Sequence, residues 1–299
     1  MDESEPLVAG VELGGTKCIA VLARGTTILA EERVETGEGK PTIEALRQIL
    51  ANWQRSNAIR ALGIASFGPI MLDRADDNYG RLMGTPKPGW QGLDVSRMAD
   101  GFEGKIAIDT DVNAAALAEW RWGGGAGLDI IAYLTIGTGI GGGLLANGRL
   151  VHGLLHPEMG HVMVRRIAGD DFPGVCKIHG DCLEGLASGP AIAARAGMHT
   201  HDMPPDHPAW DIAGRYIGEM LASLVLIASP QRILIGGGVG VAQPQVLAAA
   251  RKSLSEQLGG YLNRPALLES IDSYVATAIL GDRAGPLGAV ALAMGALGL

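Results

Sequence analysis

The stretch Leu7-Val-Ala-Gly-Val-Glu-Leu-Gly-Gly-Thr-Lys-Cys-Ile-Ala-Val-Leu-Ala23 places a glycine turn, residues 14–17, between two apolar runs. Apolar runs on either side of a glycine pair predict two strands joined by a tight turn. A second stretch has the same plan, because the apolar run 130–136 leads into Gly137-Thr-Gly-Ile-Gly-Gly-Gly143 and then into residues 144–151, where Asn147-Gly148 stands between apolar residues. We therefore expect a duplicated α/β architecture, each half of which contains a strand, a glycine turn and a strand.

Glycine turns of this kind present backbone N–H groups that can bind phosphate oxygens, because no side chain blocks the approach. Thr16, Thr135 and Thr138 add hydroxyl donors beside the two turns. The alternative is that the glycines serve only to form tight turns. Two turns in equivalent positions favour phosphate binding.

The second glycine run also matches a dinucleotide-binding pattern, with Gly137, Gly139 and Gly142 as Gly-x-Gly-x-x-Gly. That motif needs a helix directly after the glycines, whereas Asn147-Gly148 between apolar pairs predicts a hairpin. The interpretation as a nicotinamide dehydrogenase would be favoured again only if the residues after Gly143 were helical. The order Thr16-Lys17 also excludes a Walker loop, in which the lysine comes first.

Composition narrows the class of protein further. The chain has 299 residues, 47% of them hydrophobic, and a formal net charge of -8, which is the wrong sign for binding nucleic-acid phosphates. The acidic N-terminus lacks the order of a secretory signal, and the longest apolar run, 221–228, is too short to span a bilayer. We expect a cytoplasmic protein without membrane or nucleic-acid partners, and metal ligation or burial for its three cysteines.

Other segments are assigned from periodicity and turn signals. The strands are predicted at 27–30, 61–66, 105–109 and 232–235, and the helices from Pro41, at 113–120, 189–198 and 210–228, and from Ala284 to the C-terminus. The order of these elements predicts a domain boundary near residues 115–120.

Phosphoryl transfer to an alcohol needs a carboxylate that accepts the hydroxyl proton. Asp111 is the candidate base, because it lies where a strand hands over to a helix whose dipole favours the ionised form. The competing interpretation is that Asp111 is merely the helix N-cap, and Asp109 fits either part. Glu12, just before the first glycine turn, is a candidate ligand for Mg²⁺.

A metal site is predicted by Cys176-Lys-Ile-His179-Gly-Asp-Cys182, whose spacing lets a tight turn wrap one Zn²⁺. A fourth ligand is needed to complete the tetrahedron. His161 is the nearest sensible donor, although spacing does not exclude His156 or His152. Such a closed site would be structural, tying the segment around Glu158 to the one around Glu184. The alternative is a pair of reduced cysteines near a surface histidine.

These residues together resemble the ROK sugar kinases, and within them the zinc-containing bacterial fructokinases. The stretches that carry the resemblance are Glu12-Leu-Gly-Gly-Thr-Lys17, Phe67-Gly-Pro-Ile70, Thr85-Pro-Lys-Pro-Gly-Trp90, Asp109-Thr-Asp-Val-Asn-Ala114, Gly137-Thr-Gly-Ile-Gly-Gly-Gly143, His156-Pro-Glu-Met-Gly-His161 and His179-Gly-Asp-Cys-Leu-Glu-Gly-Leu-Ala-Ser-Gly-Pro190. The resemblance implies the actin-like ATPase (ribonuclease H-like) fold, with two α/β domains around a cleft. Residues 1–117 and 118–283 would form these domains, and the C-terminal helix, 284–299, would pack back on the first.

The resemblance also implies roles for individual residues. Asp111 would be the catalytic base, and the sugar would meet Gly68, Asp111, Glu158, His161 and Glu184. Zinc would be bound by His161, Cys176, His179 and Cys182. The residues implied for ATP are Gly14, Gly15, Thr16, Lys17, Thr135, Gly137, Thr138, Gly139, Pro190, Gly236, Gly237 and Gly238.

The activity implied is transfer of a phosphoryl group from ATP to a hexose, with Mg²⁺ and a structural Zn²⁺, in a homodimer. Glu12 and Thr110 follow the fructokinase branch, where many ROK glucokinases have Asp and Asn, so D-fructose is the expected hexose. Glucose, mannose or an N-acetylhexosamine remain alternatives. A sugar-sensing regulator of the same family is a further alternative, but it would need a DNA-binding segment, for which few residues precede the first strand.

Overall fold

The computed structural model describes residues 5–85 and 87–299. The strands are β1 Val8–Leu13, β2 Lys17–Arg24, β3 Thr27–Glu35, β4 Ala61–Ser66, β5 Lys105–Thr110, β6 Ile130–Ile136, β7 Ile140–Ala146, β8 Arg149–Leu150, β9 Arg232–Gly236 and β10 Val275–Thr277. The helices are α1 Gly39–Ser56, α2 Asp111–Trp122, α3 Leu183–Ala187, α4 Gly189–Ala196, α5 Pro208–Ala228, α6 Gly238–Ala242, α7 Pro244–Leu258, α8 Pro265–Leu268, α9 Ile271–Tyr274 and α10 Ala284–Ala296.

The two sheets have the same topology. The first has the order β3-β2-β1-β4-β5, and the second has β8-β7-β6-β9-β10 when read in the same sense. In each sheet an antiparallel hairpin, β1–β2 or β6–β7, is extended by a parallel strand, β4 or β9. The predicted α/β class and the predicted duplication are therefore both observed.

The second glycine run differs from the prediction. Only residues 137–139 form the turn, because Ile140 already pairs with Ile136 and the glycines 141–143 lie within β7. Gly142 is required by packing, since a Cβ atom there would lie 2.4 Å from the sulfur of Met159. A strand follows the turn, so the helix needed by a dinucleotide-binding motif is absent at this position.

The chain divides into two compact units, each with its own core. Unit 1 runs to Ala126 and includes Leu150–Pro157 and Asp282–Leu299, and unit 2 comprises Gly127–Arg149 and Glu158–Gly281. The domain limits given above, 1–117 and 118–283, stay a prediction. Among the described residues, no helix combines the length and the apolar character needed to cross a membrane.

In unit 1, α10 is the most deeply buried helix. It packs on β1, β4 and β5 and against α2, and nearly every side chain from Ala284 to Met294 is buried. Two glycines of the sheet, Gly10 and Gly63, allow this close approach: a Cβ atom on Gly63 would lie 1.9 Å from the carbonyl oxygen of Ala289. The opposite face of the sheet packs on α1 through Leu46 and other apolar residues.

In unit 2, α5 and α7 form the main helical layer. Both contribute to one apolar cluster with β6 and β9, through residues such as Leu221 on α5 and Leu254 on α7. Helix α7 was not predicted, because its alanine and serine residues weaken the apolar periodicity. Strand β10 was also missed, since three residues are too few to form a pattern.

Replacing Gly63 by Ala should destabilise unit 1. The new methyl group would overlap the backbone of α10, and overpacking of this kind costs roughly 1–3 kcal/mol or more. Gly295→Ala is the matched control, because no atom lies within 4 Å of a Cβ atom at that exposed helical position. Thermal unfolding should show a lower Tm for Gly63→Ala and an unchanged or higher Tm for Gly295→Ala, and equal values would contradict the packing described here.

Candidate active site

The predicted site residues of unit 1 follow parallel strands. Strands β1, β4 and β5 are mutually parallel, so their carboxyl ends meet at one edge of the sheet. The turn 14–16 follows β1, Gly68 follows β4 and Asp111 follows β5. Ligands of open α/β sheets bind beyond the carboxyl ends of the strands, so this edge is the candidate site of unit 1.

Hydrogen bonds to Gly14 hold the first glycine turn in place. The N–H of Gly14 donates to the carbonyl oxygen of Lys17 at 3.1 Å, and Thr36 donates its hydroxyl to the carbonyl oxygen of Gly14 at 3.0 Å. Gly15, Thr16 and Lys17 are exposed. The turn is therefore fixed at Gly14 and exposed at residues 15–17. The sequence did not indicate the contact with Thr36, because Thr36 lies at the end of a different hairpin.

Asp111 is not the N-cap of α2. The cap is Thr110, whose hydroxyl oxygen accepts a hydrogen bond from the N–H of Asn113 at 3.1 Å. Asp111 occupies the first turn of the helix, is half-buried, and accepts a hydrogen bond from the N–H of Val112 at 2.9 Å. The competing interpretation of Asp111 as a cap is therefore wrong.

Asp109 is instead the centre of a buried polar network. One carboxylate oxygen accepts hydrogen bonds from the N–H of Thr110 and from the side-chain amide of Asn113, each at 2.8 Å. The other oxygen lies 2.9 Å from Nε2 of His152. The hydrogen bond to Asp109 raises the pKa of His152. These partners give Asp109 a structural role at the start of α2, and it is not the helix cap, because Thr110 is.

Two further predicted residues of unit 1 have defined surroundings. The loop after Gly68 is fixed by His156, whose Nε2 accepts a hydrogen bond from the N–H of Ile70 at 3.1 Å. Burial raises the pKa of Glu12 to about 7, against the smaller opposing effect of Lys17. A cation at Glu12 would favour the ionised carboxylate, so the residue suits a ligand of Mg²⁺.

In unit 2, four predicted metal ligands come together. One donor atom from each of His161, Cys176, His179 and Cys182 lies within 4.8 Å of the others. Nδ1 of His161 is 3.5 Å from Sγ of Cys182 and 3.8 Å from Sγ of Cys176. Tetrahedral zinc with two sulfur and two nitrogen ligands needs donor atoms roughly 3.3–3.8 Å apart, so the donor set fits this ion.

The fourth member of the cluster is His161. An isolated β-bridge between Met163 and Cys182 brings His161 to the cysteines. The other two histidines considered from the sequence have different roles, since His152 pairs with Asp109 and His156 binds Ile70.

Glu184 connects the cluster to the second glycine turn. It follows Cys182 by two residues in α3, and its carboxylate accepts a hydrogen bond from the N–H of Ile140 at 3.0 Å. Gly139 leaves room for this carboxylate, because a Cβ atom there would lie 2.6 Å from Oε2 of Glu184. Burial and the charge of Glu184 raise the pKa of Glu158 to about 7. The two carboxylates are therefore electrostatically coupled.

A cavity of about 670 Å³ opens beside this turn in unit 2. Of the predicted ATP residues, those lining it are Thr135, Gly137, Thr138, Pro190, Gly237 and Gly238. Gly139 and Gly236 do not line it, and a Cβ atom on Gly236 would overlap the hydroxyl group of Tyr133. Sequence reasoning missed His199, Trp210 and Gln243 in the lining, which lie outside any motif.

The loop that carries the cluster is also anchored by an ion pair. Arg195, on α4, binds both carboxylate oxygens of Asp170 at 2.6 and 3.0 Å. Tyr216 donates its hydroxyl to the same carboxylate at 2.5 Å. Burial alone would raise the pKa of Asp170, but hydrogen bonds from Arg195, Tyr216 and the N–H of Phe172 lower it to about 2.

Two sheets of identical order, each built on a hairpin with a glycine turn, define the class as the actin-like ATPase fold. The chain belongs to the ROK family, whose model matches residues 8–296. It is 38% identical over 305 residues to the fructokinase of Zymomonas mobilis, an alignment that covers 99% of both chains. The predicted family and fold are confirmed.

Solved structures agree with this assignment. The ROK hexokinase from Thermus thermophilus has a TM-score of 0.78 at 28% identity, covering 98% of this chain and 99% of that one. A ROK family glucokinase from Streptomyces griseus, solved in complex with glucose and AMPPNP, has a TM-score of 0.74 at 26% identity and covers 97% of this chain and 99% of its own.

We expect the stability of the protein to fall in acid as Asp170 becomes protonated. Its pKa is lowered from 3.8 to about 2 on folding, so its contribution is complete above pH 4 and is lost between about pH 4 and 2. Asp170→Asn should lower the free energy of unfolding at pH 7 by roughly 2 kcal/mol or more. The exposed neighbour offers a control, Asp171→Asn, which should unfold like the wild type. Urea unfolding at pH 7 and pH 3 measures the difference, and equal losses for both variants would contradict the prediction.

Proposed function

We propose that this protein is an ATP-dependent fructokinase that converts D-fructose to fructose 6-phosphate. The observation that carries the chemistry is the position of Asp111, in the first turn of α2 and at the sheet edge that also holds the glycine turn 14–16. The choice of fructose is supported by the full-length similarity to a fructokinase.

Asp111 is the general base of the proposed reaction. It accepts the proton of the sugar hydroxyl while the hydroxyl oxygen attacks the γ-phosphorus of ATP. Because Thr110 caps the helix, the carboxylate of Asp111 is not needed as a cap. Asp109 holds Asn113 and His152 in place beneath it and thereby fixes the start of α2.

The two glycine turns bind phosphates in this proposal. The cavity of unit 2 receives the nucleotide, with Trp210 and Gln243 available to the base and the turn 137–139 to the phosphates. The backbone N–H groups of the exposed residues Gly15 and Thr16 are proposed to stabilise charge on the transferred group. Mg²⁺, held by Glu12 and the phosphates of ATP, would neutralise negative charge when bound.

Glu158, His161 and Glu184 are proposed to contact the sugar, together with Gly68. Support comes from the cluster, because His161 and Cys182 fix the segments that carry the two carboxylates. Nδ1 of His161 faces the cysteine sulfurs, which leaves Nε2, on the other side of the ring, for the proposed contact with a sugar hydroxyl. The metal in the cluster is proposed to be a structural Zn²⁺.

Phosphorylation rates across a panel of hexoses test the function. Fructose should give the highest kcat/KM among fructose, glucose, mannose and N-acetylmannosamine. Asp111→Asn should lower kcat by a factor of about 10²–10⁴, because general-base catalysis contributes that much, and should leave the Tm unchanged. The exposed Asp100→Asn is the control and should keep wild-type activity.

A strong preference for glucose in the wild type would overturn the choice of substrate. Retained activity in Asp111→Asn, with wild-type activity in the control, would refute the assignment of the base. Absence of phosphorylation on every hexose would refute the kinase itself.

The purified protein should contain about one zinc ion per chain, as measured by plasma emission spectroscopy. Cys176→Ser should lose the ion and lower the Tm, because the donor set no longer closes the tetrahedron. Ile178→Ala is the control, since this side chain is 69% exposed in the same loop. As zinc is removed, the rate of amide hydrogen exchange in residues 172–182 should rise before kcat falls. A zinc-free protein with full stability and activity would refute the structural role.

The proposed reaction consumes ATP, which supports the predicted cytoplasmic location. The net charge of -8 supports the prediction that nucleic acid is not a partner. The predicted homodimer is tested by sedimentation of the purified protein.

A further inference from the structure

One cationic side chain of unit 1 reaches the first glycine turn from a distant part of the sequence. The ammonium group of Lys87 donates a hydrogen bond to the carbonyl oxygen of Gly15. The same ammonium lies 5.0 Å from the centre of the Phe67 ring, whose face attracts a cation. Lys87 therefore stands at the turn that the proposed function assigns to phosphate.

The chain from Lys87 to Trp90 is held by hydrogen bonds. Its carbonyl oxygen accepts a hydrogen bond from the N–H of Trp90 at 3.3 Å, and Trp90 is completely buried. The indole N–H of Trp90 donates to the carbonyl oxygen of Gly37 at 2.8 Å, and the ring contacts Phe67 edge-on. The backbone carbonyl of Lys87 is thus anchored to a buried residue, while Gly15 and Phe67 hold its ammonium. A cation that is already held loses little entropy when it binds an anion.

The charge of Lys87 has no carboxylate partner in the part of the chain that the structure describes. Burial lowers its pKa, with only a small opposing effect from Cys18. Lys17 differs, because its charge acts on the carboxylate of Glu12. The side chain of Lys87 is half-buried, and an ammonium without a carboxylate partner among the described residues is stabilised by an arriving anion. Its three N–H donors suit phosphate oxygens.

We propose that Lys87 is a catalytic residue that binds the phosphoryl group during transfer and, afterwards, the phosphate of the sugar product. This inference rests on the proposed function, since it gives Lys87 a part in the same reaction. The carbonyl oxygen of Gly15 and the ring of Phe67 hold the ammonium at the turn before the phosphoryl group binds. The phosphoryl oxygen takes up donors that these two contacts do not use.

The reaction balances without a change in Lys87. A bond forms between the sugar oxygen and the γ-phosphorus, and the bond from the γ-phosphorus to the bridging oxygen breaks, so ADP leaves with the electron pair. The hydroxyl proton passes to Asp111. Lys87 stays protonated throughout and neutralises part of the charge on the three equatorial oxygens, which is the main task of a protein in phosphoryl transfer.

Lys87→Met tests this role through separate kinetic and binding measurements. It should lower kcat by a factor of about 10²–10³, as loss of one charge-stabilising donor does, while KM for fructose changes less than about threefold. Calorimetry should show at least about tenfold weaker binding of fructose 6-phosphate and unchanged binding of fructose. Lys87→Arg keeps the charge and should retain more activity than Lys87→Met. Lys87→Gln is measured in parallel, so that a folding defect in one variant does not end the test.

Lys105→Met is the matched control, because this exposed lysine lies at the opposite, amino end of β5. It should match the wild type in every measurement. The proposal is overturned if Lys87→Met keeps more than half of kcat, or if fructose and fructose 6-phosphate lose affinity equally, as a structural role would predict. Should the wild type phosphorylate no hexose, the proposed function fails on its own, and binding of inorganic phosphate to the wild type and to Lys87→Met then decides the role of Lys87.

Discussion

One hydrogen bond, from the N–H of Ile140 to the carboxylate of Glu184, links the metal cluster of unit 2 to its glycine turn. Glu184 stands two residues after Cys182, so the cluster sets the position of the carboxylate and the carboxylate supports the turn. Gly139 makes the contact possible, because any larger residue would collide with Glu184. The glycine turn of this unit therefore depends on the segment that carries the Cys/His cluster.

In unit 1 a buried hydrogen-bond network orders the residues around Asp111. Asp109 gathers the N–H of Thr110, the amide of Asn113 and the ring of His152 around one buried carboxylate, and this network fixes the first turn of α2. Asp111 is the first residue of that turn, so the network also fixes its position. The two similar sheets thus carry different supporting residues: a buried hydrogen-bond network in unit 1, and a cluster of two cysteines and two histidines in unit 2.

Local pattern was sufficient for most of the framework. Both hairpins with their glycine turns, and the long helices α5 and α10, follow from apolar runs and turn residues that any short window of sequence contains. Local pattern was insufficient where two neighbouring residues have an equal propensity to cap a helix. Thr110 and Asp111 are both good cap residues, and only the packing of α2 decides which of them caps the helix. Helix α7 was missed for a related reason, since alanine and serine give a weak periodic signal.

The sequence by itself determined the fold class, the family and the residue types of the site, because these depend on spacing along the chain. Spacing left three histidines possible, although the resemblance implied His161; the tertiary structure places His161 with the cysteines through the bridge between Met163 and Cys182, which links segments that no spacing rule connects. It also brought Lys87 to Gly15 across 72 residues of sequence. Contacts of that kind arise from the folding of distant segments onto one sheet edge, and a one-dimensional pattern carries no record of them.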